Sequence, residues 1–182
     1  MRREYYSASI QQFLTDSADR ILGTLLINDE FETTDLQKRA WQQKILILKS
    51  QLSFLRHGDI AFEYTIPRIG HRVDVVLIAS GIIFLLEFKV GDSEYRKATA
   101  DQVMDYALDL KYFHEASKGR LIIPIGVSTD APARPCSIEV MNDRISKVVF
   151  CSKTNLGPFI YDTIQQNADE ELSMETWLRV CF

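Results

Sequence analysis

The chain has 182 residues, of which 46% are apolar and 25% charged, and its formal net charge is -4. That size and composition suit one α/β domain with a full hydrophobic core and exclude an extended disordered chain. The mild acidity excludes a domain that is basic all over, so any contact with nucleic acid has to use a local patch.

In chain order, the opening MRREYYSASIQQF lacks the apolar stretch of a signal peptide. Residues 7–28 predict one or two short helices, with Ile10, Phe13, Leu14, Ile21, Leu22, Leu25 and Leu26 on their apolar sides. Thr34 or Asp35 caps a longer helix running to about Arg56. Its Trp41, Ile45, Leu48, Leu52 and Leu55 alternate in steps of four and three, a stripe that reads as core packing. Gly58 ends that helix. Residues 60–66 predict a strand, followed by a turn at Pro67 and Gly70. Residues 72–79 and 82–90 predict two strands joined in a tight hairpin at Ser80-Gly81. A strong helix covers 97–117, and strands cover 121–127, broken at Pro124, and 147–151. Residues 130–135 are a loop, and helices over 158–167 and 171–180 close the chain.

This order predicts an α/β fold with a central mixed sheet of four or five strands flanked by helices. A single domain would hold N-terminal helices in 1–58, the sheet and its helix in 59–151 and C-terminal helices in 152–182. The longest apolar run, 82–86, is too short to span a bilayer. Cys136, Cys151 and Cys181 are odd in number, widely spaced and form no CxxC, which predicts reduced thiols in a cytoplasmic protein. His57, His71 and His114 show no ligand spacing.

The segment IIFLLEFKV carries the chemistry. Its apolar residues run without alternation, as in a strand covered on both faces. Glu87 and Lys89 are set into it two apart, on one face of the sheet. Burying such groups is costly unless they are paired or bound to a metal. With Ser80 and Gly81 as the turn, facing residue numbers total 161, which puts Asp74 opposite Glu87. Facing Cβ atoms lie roughly 4.5–5.5 Å apart. Two carboxylates so close repel, and a hard divalent cation turns the repulsion into chelation: magnesium or manganese, not zinc. Lys89, diagonal to Asp74, can hold a water beside the metal.

Asp74 followed across a hairpin by Glu87-Phe88-Lys89 resembles the D-(X)n-ExK core of the PD-(D/E)xK nuclease superfamily, which has a restriction-endonuclease-like fold. Val73 stands where that pattern often has proline. Gln102 and Tyr106, four apart on the next helix, resemble the QxxxY element of RecB-like members. Over about Tyr5 to Trp177, FEYTIPRIGHRVDVVLI, FLLEFKVG, ADQVMDYALDLKYFH and IIPIGVST are similar to the nuclease domain preceding a P-loop helicase in bacterial fusion proteins. No GxxxxGK[ST] loop occurs in this chain, so a helicase would be a partner in cis or in trans. The resemblance implies a magnesium-dependent hydrolase of phosphodiester bonds in DNA, with RNA as the alternative. It implies Asp74, Glu87 and the Phe88 carbonyl as metal ligands and Glu63 as an additional acid. Gln102 and Tyr106 would then support Lys89 and the substrate.

Arg68, His71 and Arg72 before Asp74, and Tyr95, Arg96 and Lys97 after Lys89, are candidate phosphate contacts. The plainer reading of both clusters is a surface turn with ordinary charges. Glu87 and Lys89 could likewise be a structural ion pair, Gln102 and Tyr106 the polar rim of a helix, and His114 a half-buried helix residue. The rival function is a nuclease fold that binds nucleic acid or a partner protein without cutting.

Overall fold

The computed structural model describes residues 2–180. The chain runs through β1 (Tyr6–Ser9), α1 (Ile10–Thr15), α2 (Ala18–Asn28), α3 (Asp35–Gln51), β2 (Asp59–Thr65), β3 (Arg72–Ala79) and β4 (Ile82–Lys89). It continues through α4 (Lys97–Phe113), β5 (Ile122–Ser128), β6 (Val149–Cys151), α5 (Leu156–Asn167) and α6 (Met174–Arg179). The six strands form one mixed sheet in sequence order. Successive strands from β1 to β4 pair antiparallel, and β4, β5 and β6 pair parallel. The fold is thus α/β with a central mixed sheet flanked by helices, consistent with a restriction-endonuclease-like architecture. Among the described residues no helix is long and apolar enough to cross a membrane.

Each face of the sheet has its own core. On one, Ile21, Leu25, Trp41, Ile45 and Leu48 from α2 and α3, with Phe159 and Ile160 from α5, meet Phe62, Val75, Leu77, Phe84 and Leu86. On the other, Val103, Ala107 and Leu110 of α4, with Trp177 of α6, meet Tyr64, Val76, Ile78, Ile83 and Leu85. Covering on both sides is why β4 reads as an unbroken apolar run. The sheet therefore delivers its polar residues only at its ends, where the helices stop covering it.

The central hairpin is set by its turn. Ser80 and Gly81 have φ of 50° and 74°, the two positive values that a two-residue type I′ connection requires. Ala79 pairs with Ile82 and the ladder runs back to Val75 with Leu86, the register read from the sequence.

Several boundaries differ from the sequence reading. Residues 6–9 are a strand, not the start of a helix, so the sheet has six strands and not four or five. Four residues are too few to show period-two alternation beside the strong helical spacing of Ile10 and Phe13, and the free edge of β2 captures them. The third helix stops at Gln51, short of Arg56 and Gly58. The start of α5 packs on its last turn there, where Gly157 donates its N–H to Gln51 Oε1 at 2.8 Å. Leu52 and Leu55 are buried beyond the helix. The fourth helix ends at Phe113, and a short 3-10 turn covers Glu115–Ser117. Pro124 does not break β5. The neighbouring segment slips by one residue beside it, from Ile122 facing Ile145 to Ile125 facing Val149, so the missing N–H falls at the slip. Lys147 lies outside β6 because its N–H bonds the Glu139 carbonyl. Cys181, read as a reduced thiol, lies outside the described residues.

The hairpin tip is tightly enclosed. Asp169 donates its N–H to the Ser80 carbonyl at 2.8 Å, and a Cβ on Gly81 would overlap the Glu170 carbonyl oxygen. Gly81→Ala combines that overlap with a left-handed backbone, which costs a non-glycine residue about 1–2 kcal/mol by itself. Urea unfolding should show a loss of at least about 2 kcal/mol; an unchanged midpoint would mean that neither the overlap nor the positive φ constrains the turn.

Candidate active site

The hairpin and its neighbour bring three acids to one level of the sheet. Extending the β3–β4 register past Val75 and Leu86 puts Asp74 across from Glu87. The β2–β3 register passes from Phe62–Val75 to Tyr64–Val73, which puts Glu63 across from Asp74. Neither acid pair belongs to the regular ladder. Instead the Asp74 carboxylate takes the place of a strand carbonyl: its Oδ2 accepts the Phe88 N–H at 2.8 Å.

The backbone is distorted to make this possible. Glu63 has a φ of 54°, a left-handed conformation rare for a side chain of its size. Phe62 and Tyr64 are two apart, which in a regular strand means the same face, yet they belong to opposite cores. Val73 and Val75 do the same on β3. The break in alternation falls on Glu63 and Asp74. It releases both carboxylates from either core into an open pocket of about 430 Å³.

Glu63 is 5% exposed. Its Oε1 accepts from Trp41 Nε1 at 2.9 Å and lies 3.8 Å from Lys44 Nζ, while Arg72 Nε is 3.8 Å from its Oε2. Lys44 Nζ stands 3.1 Å from Asp74 Oδ2, so one ammonium of α3 serves two acids. Glu87 Oε1 accepts from Lys89 Nζ at 3.1 Å, and its Oε2 is buried with no hydrogen-bond partner. Lys89 also donates to Gln102 Oε1 at 3.1 Å, and Gln102 Nε2 donates to the Tyr106 hydroxyl at 2.7 Å. The helical spacing of Gln102 and Tyr106 thus produces a relay that fixes the lysine over Glu87.

Burial and the Asp74 charge push the Glu87 carboxyl up to about 7, with Lys89 opposing. Burial and Asp74 also raise Glu63, against Lys44, the Trp41 hydrogen bond and Arg72. Burial pulls Lys44 down, but Asp74, Glu63 and Glu87 together outweigh it and hold it above its usual value. Burial and the Glu87 charge raise Tyr106 to about 12, so its hydroxyl stays protonated.

The donor set fits a hard divalent cation in kind: carboxylate oxygens, one of them buried and unpartnered. The Phe88 N–H faces Asp74, and in an extended strand the carbonyl of the same residue faces the same side. The arrangement is not a ready cage. Among the described residues no group of three or more His, Cys, Asp or Glu is gathered around one ligand point, and the Lys44 ammonium stands among the acids.

Of the residues singled out from the sequence, Glu63, His71, Arg72, Asp74, Glu87, Gln102 and Tyr106 line this one pocket, and Lys89 reaches it from an adjoining groove. The others lie elsewhere, among them Tyr95, whose hydroxyl donates to the Pro132 carbonyl at 2.7 Å. Arg68 sits 3.6 Å over the Phe113 ring and 3.5 Å from Asp109. Arg96 pairs with Asp92 and Glu94, and Lys97 with Asp101. His114 is wholly buried between Ser117 and Trp177, away from the pocket. Trp41 and Lys44 belong to the site, although the stripe holding Trp41 read as core packing and Lys44 was not singled out. A lysine one turn after Trp41, beside Ile45 on the apolar face, was the signal. No family model matches the chain, and no curated protein matches it.

Glu87 gives the site a pH signature. Its carboxyl titrates near 4.5 in the unfolded chain and near 7 when folded. The folded state therefore favours the protonated form. The resulting stabilisation is full below pH 4.5 and is lost as pH rises through 7. In EDTA, Glu87→Gln should gain stability over the parent between pH 5 and pH 8, by on the order of 2 kcal/mol. Urea unfolding at the two pH values measures this; a difference that does not change with pH would refute it.

Proposed function

We propose that this chain is a magnesium- or manganese-dependent nuclease of the PD-(D/E)xK type that hydrolyses phosphodiester bonds in DNA, with RNA as the alternative substrate. One observation carries the reading: Glu63, Asp74 and Glu87 stand at one level of three adjacent strands, beside a lysine fixed by Gln102 and Tyr106. Asp74 and Glu87, with the Phe88 carbonyl, would hold the cation, and Glu63 would serve as the additional acid. The bound cation would lower the pKa of a water and offset charge growing on the phosphate.

The chain's own groups do the rest. Lys89 keeps its ammonium at the Glu87 carboxylate through Gln102, which places it to orient a water for attack on phosphorus in line with the leaving oxygen. Arg72 and His71, on the pocket wall, meet the incoming phosphate. Tyr106, neutral at all working pH values, orients Gln102. A cytoplasmic location and a P-loop helicase partner, in cis or in trans, go with this reading.

A second reading has its own support. Lys44 already neutralises Asp74 and Glu63, as a domain that binds nucleic acid or a partner protein without cutting would need. Incubation with single- and double-stranded DNA and RNA, in magnesium, manganese or EDTA, separates the two. Asp74→Asn and Lys89→Ala should each lower cleavage at least about 100-fold, with unchanged circular dichroism. Cleavage at the parental rate in either variant, or in EDTA, would overturn the roles of Asp74 and Lys89, and no cleavage by the parent under any condition would favour the second reading.

A further inference from the structure

Away from the pocket, the connection from β5 to β6 brings two thiols together. Cys136 lies on its exposed stretch and is itself only partly covered, whereas Cys151, the last residue of β6, is fully buried. Their sulfurs are 3.8 Å apart and both thiols are free. We propose that Cys136 and Cys151 form a redox-active pair that reacts reversibly with a low-molecular-weight disulfide such as oxidised glutathione.

The surroundings of the two sulfurs differ in the way such a pair requires. Asn155 cannot turn its amide round: its Oδ1 accepts from Ser152 N at 2.7 Å and from Ser152 Oγ at 3.1 Å. Its Nδ2 is therefore directed at the Arg134 carbonyl, 2.8 Å away, and at Cys136 Sγ, 3.3 Å away. An N–H aimed at sulfur favours the thiolate, against the Phe150 and Arg134 carbonyls that the Cys136 thiol faces at 3.1 and 3.3 Å. Donation from the Cys151 thiol, and then from Asn155, lowers Cys136 to about 7 against its partial burial. Cys151 is raised, because it donates to Cys136 and because it is buried. Cys136 is the nucleophile an oxidant can reach, and Cys151 is the thiol held in reserve behind it.

The order of events follows from that placement. The Cys136 thiolate attacks one sulfur of the small disulfide, forming a mixed disulfide and expelling one thiolate. Cys151 then attacks Cys136 Sγ and expels the second thiolate, which takes up the Cys151 proton. Two protein thiols give up two electrons and two protons, and the oxidant's one S–S bond becomes two thiols. Bond formation needs the sulfurs to close by ~1.8 Å from their resting separation. Cys136 can supply that movement because its segment has no regular secondary structure between β5 and Val140.

The experiment uses the full chain with Cys181→Ser, so that only the pair reports. The folded protein is equilibrated in buffers of reduced and oxidised glutathione near neutral pH, quenched by alkylation and mapped by mass spectrometry. The expected product is a Cys136–Cys151 link that dithiothreitol reverses, with no lasting glutathione adduct. Cys151→Ser, or Cys151→Ala if the serine variant is unfolded, should stop at glutathione on Cys136, and Cys136→Ser should take up none. The proposal is overturned if both thiols stay alkylatable in the most oxidising buffer, if an adduct on Cys136 persists with Cys151 intact, or if the link forms only in urea.

Discussion

Mutual repulsion of three carboxylates governs the architecture around the pocket. Glu63, Asp74 and Glu87 come from neighbouring strands at one level, and two of them are almost wholly buried. In that setting burial makes each charge costly and the Asp74 charge adds to that cost, which the elevated titration of Glu63 and Glu87 records. The protein answers from both sides of the sheet. Helix α3 inserts Lys44 between Asp74 and Glu63, and the end of β4 swings Lys89 over Glu87. Helix α4 then fixes Lys89 through Gln102 and Tyr106. The two helical layers are thus more than covers for two cores. Each contributes a group to the place where the sheet emerges from between them.

Local strain is concentrated at the same place. A regular β2 would turn the Glu63 side chain toward one of the two cores. The left-handed backbone at this residue frees it, and Trp41, Lys44 and Arg72 hold the result. Asp74 shows the complementary device, using its side chain to satisfy the Phe88 N–H that a regular strand pairing would have satisfied. The ladder resumes beyond both residues without a slip. Between β2 and β3 the irregularity is therefore confined to the acids themselves, whereas the β3–β4 ladder ends at Val75 and Leu86.

Much of this was legible in the sequence because it rests on short-range rules. Ser80-Gly81 dictates the turn, the turn dictates the register, and the register aligns Asp74 with Glu87. Likewise the four-residue spacing of Gln102 and Tyr106 makes them neighbours on one helix face. The remainder depends on distant partners. Nothing within residues 6–9 distinguishes an edge strand from a helix start until β2 is there to pair with it. Nothing near Glu63 predicts its positive φ, since the groups that stabilise it come from α3 and from β3. Lys44 was hidden because helical periodicity identifies a buried face but not which buried position meets a charge. Arg68, Arg96 and Lys97 show the limit of the same rules: closeness in sequence to Asp74 or Lys89 did not bring them to the lining of this pocket, and each stands beside an acid outside it.

The enclosed tip of the β3–β4 hairpin has a consequence for how this chain can change. Surface turns are ordinarily where proteins accept extra residues. This one is backed by the Asp169–Glu170 segment, with Arg120 reaching the Glu170 carbonyl behind it. Added length there would have to displace the link between α5 and α6. Divergent versions of this chain should therefore vary in size at other connections, such as residues 29–34 or 130–139, and keep a two-residue link between β3 and β4.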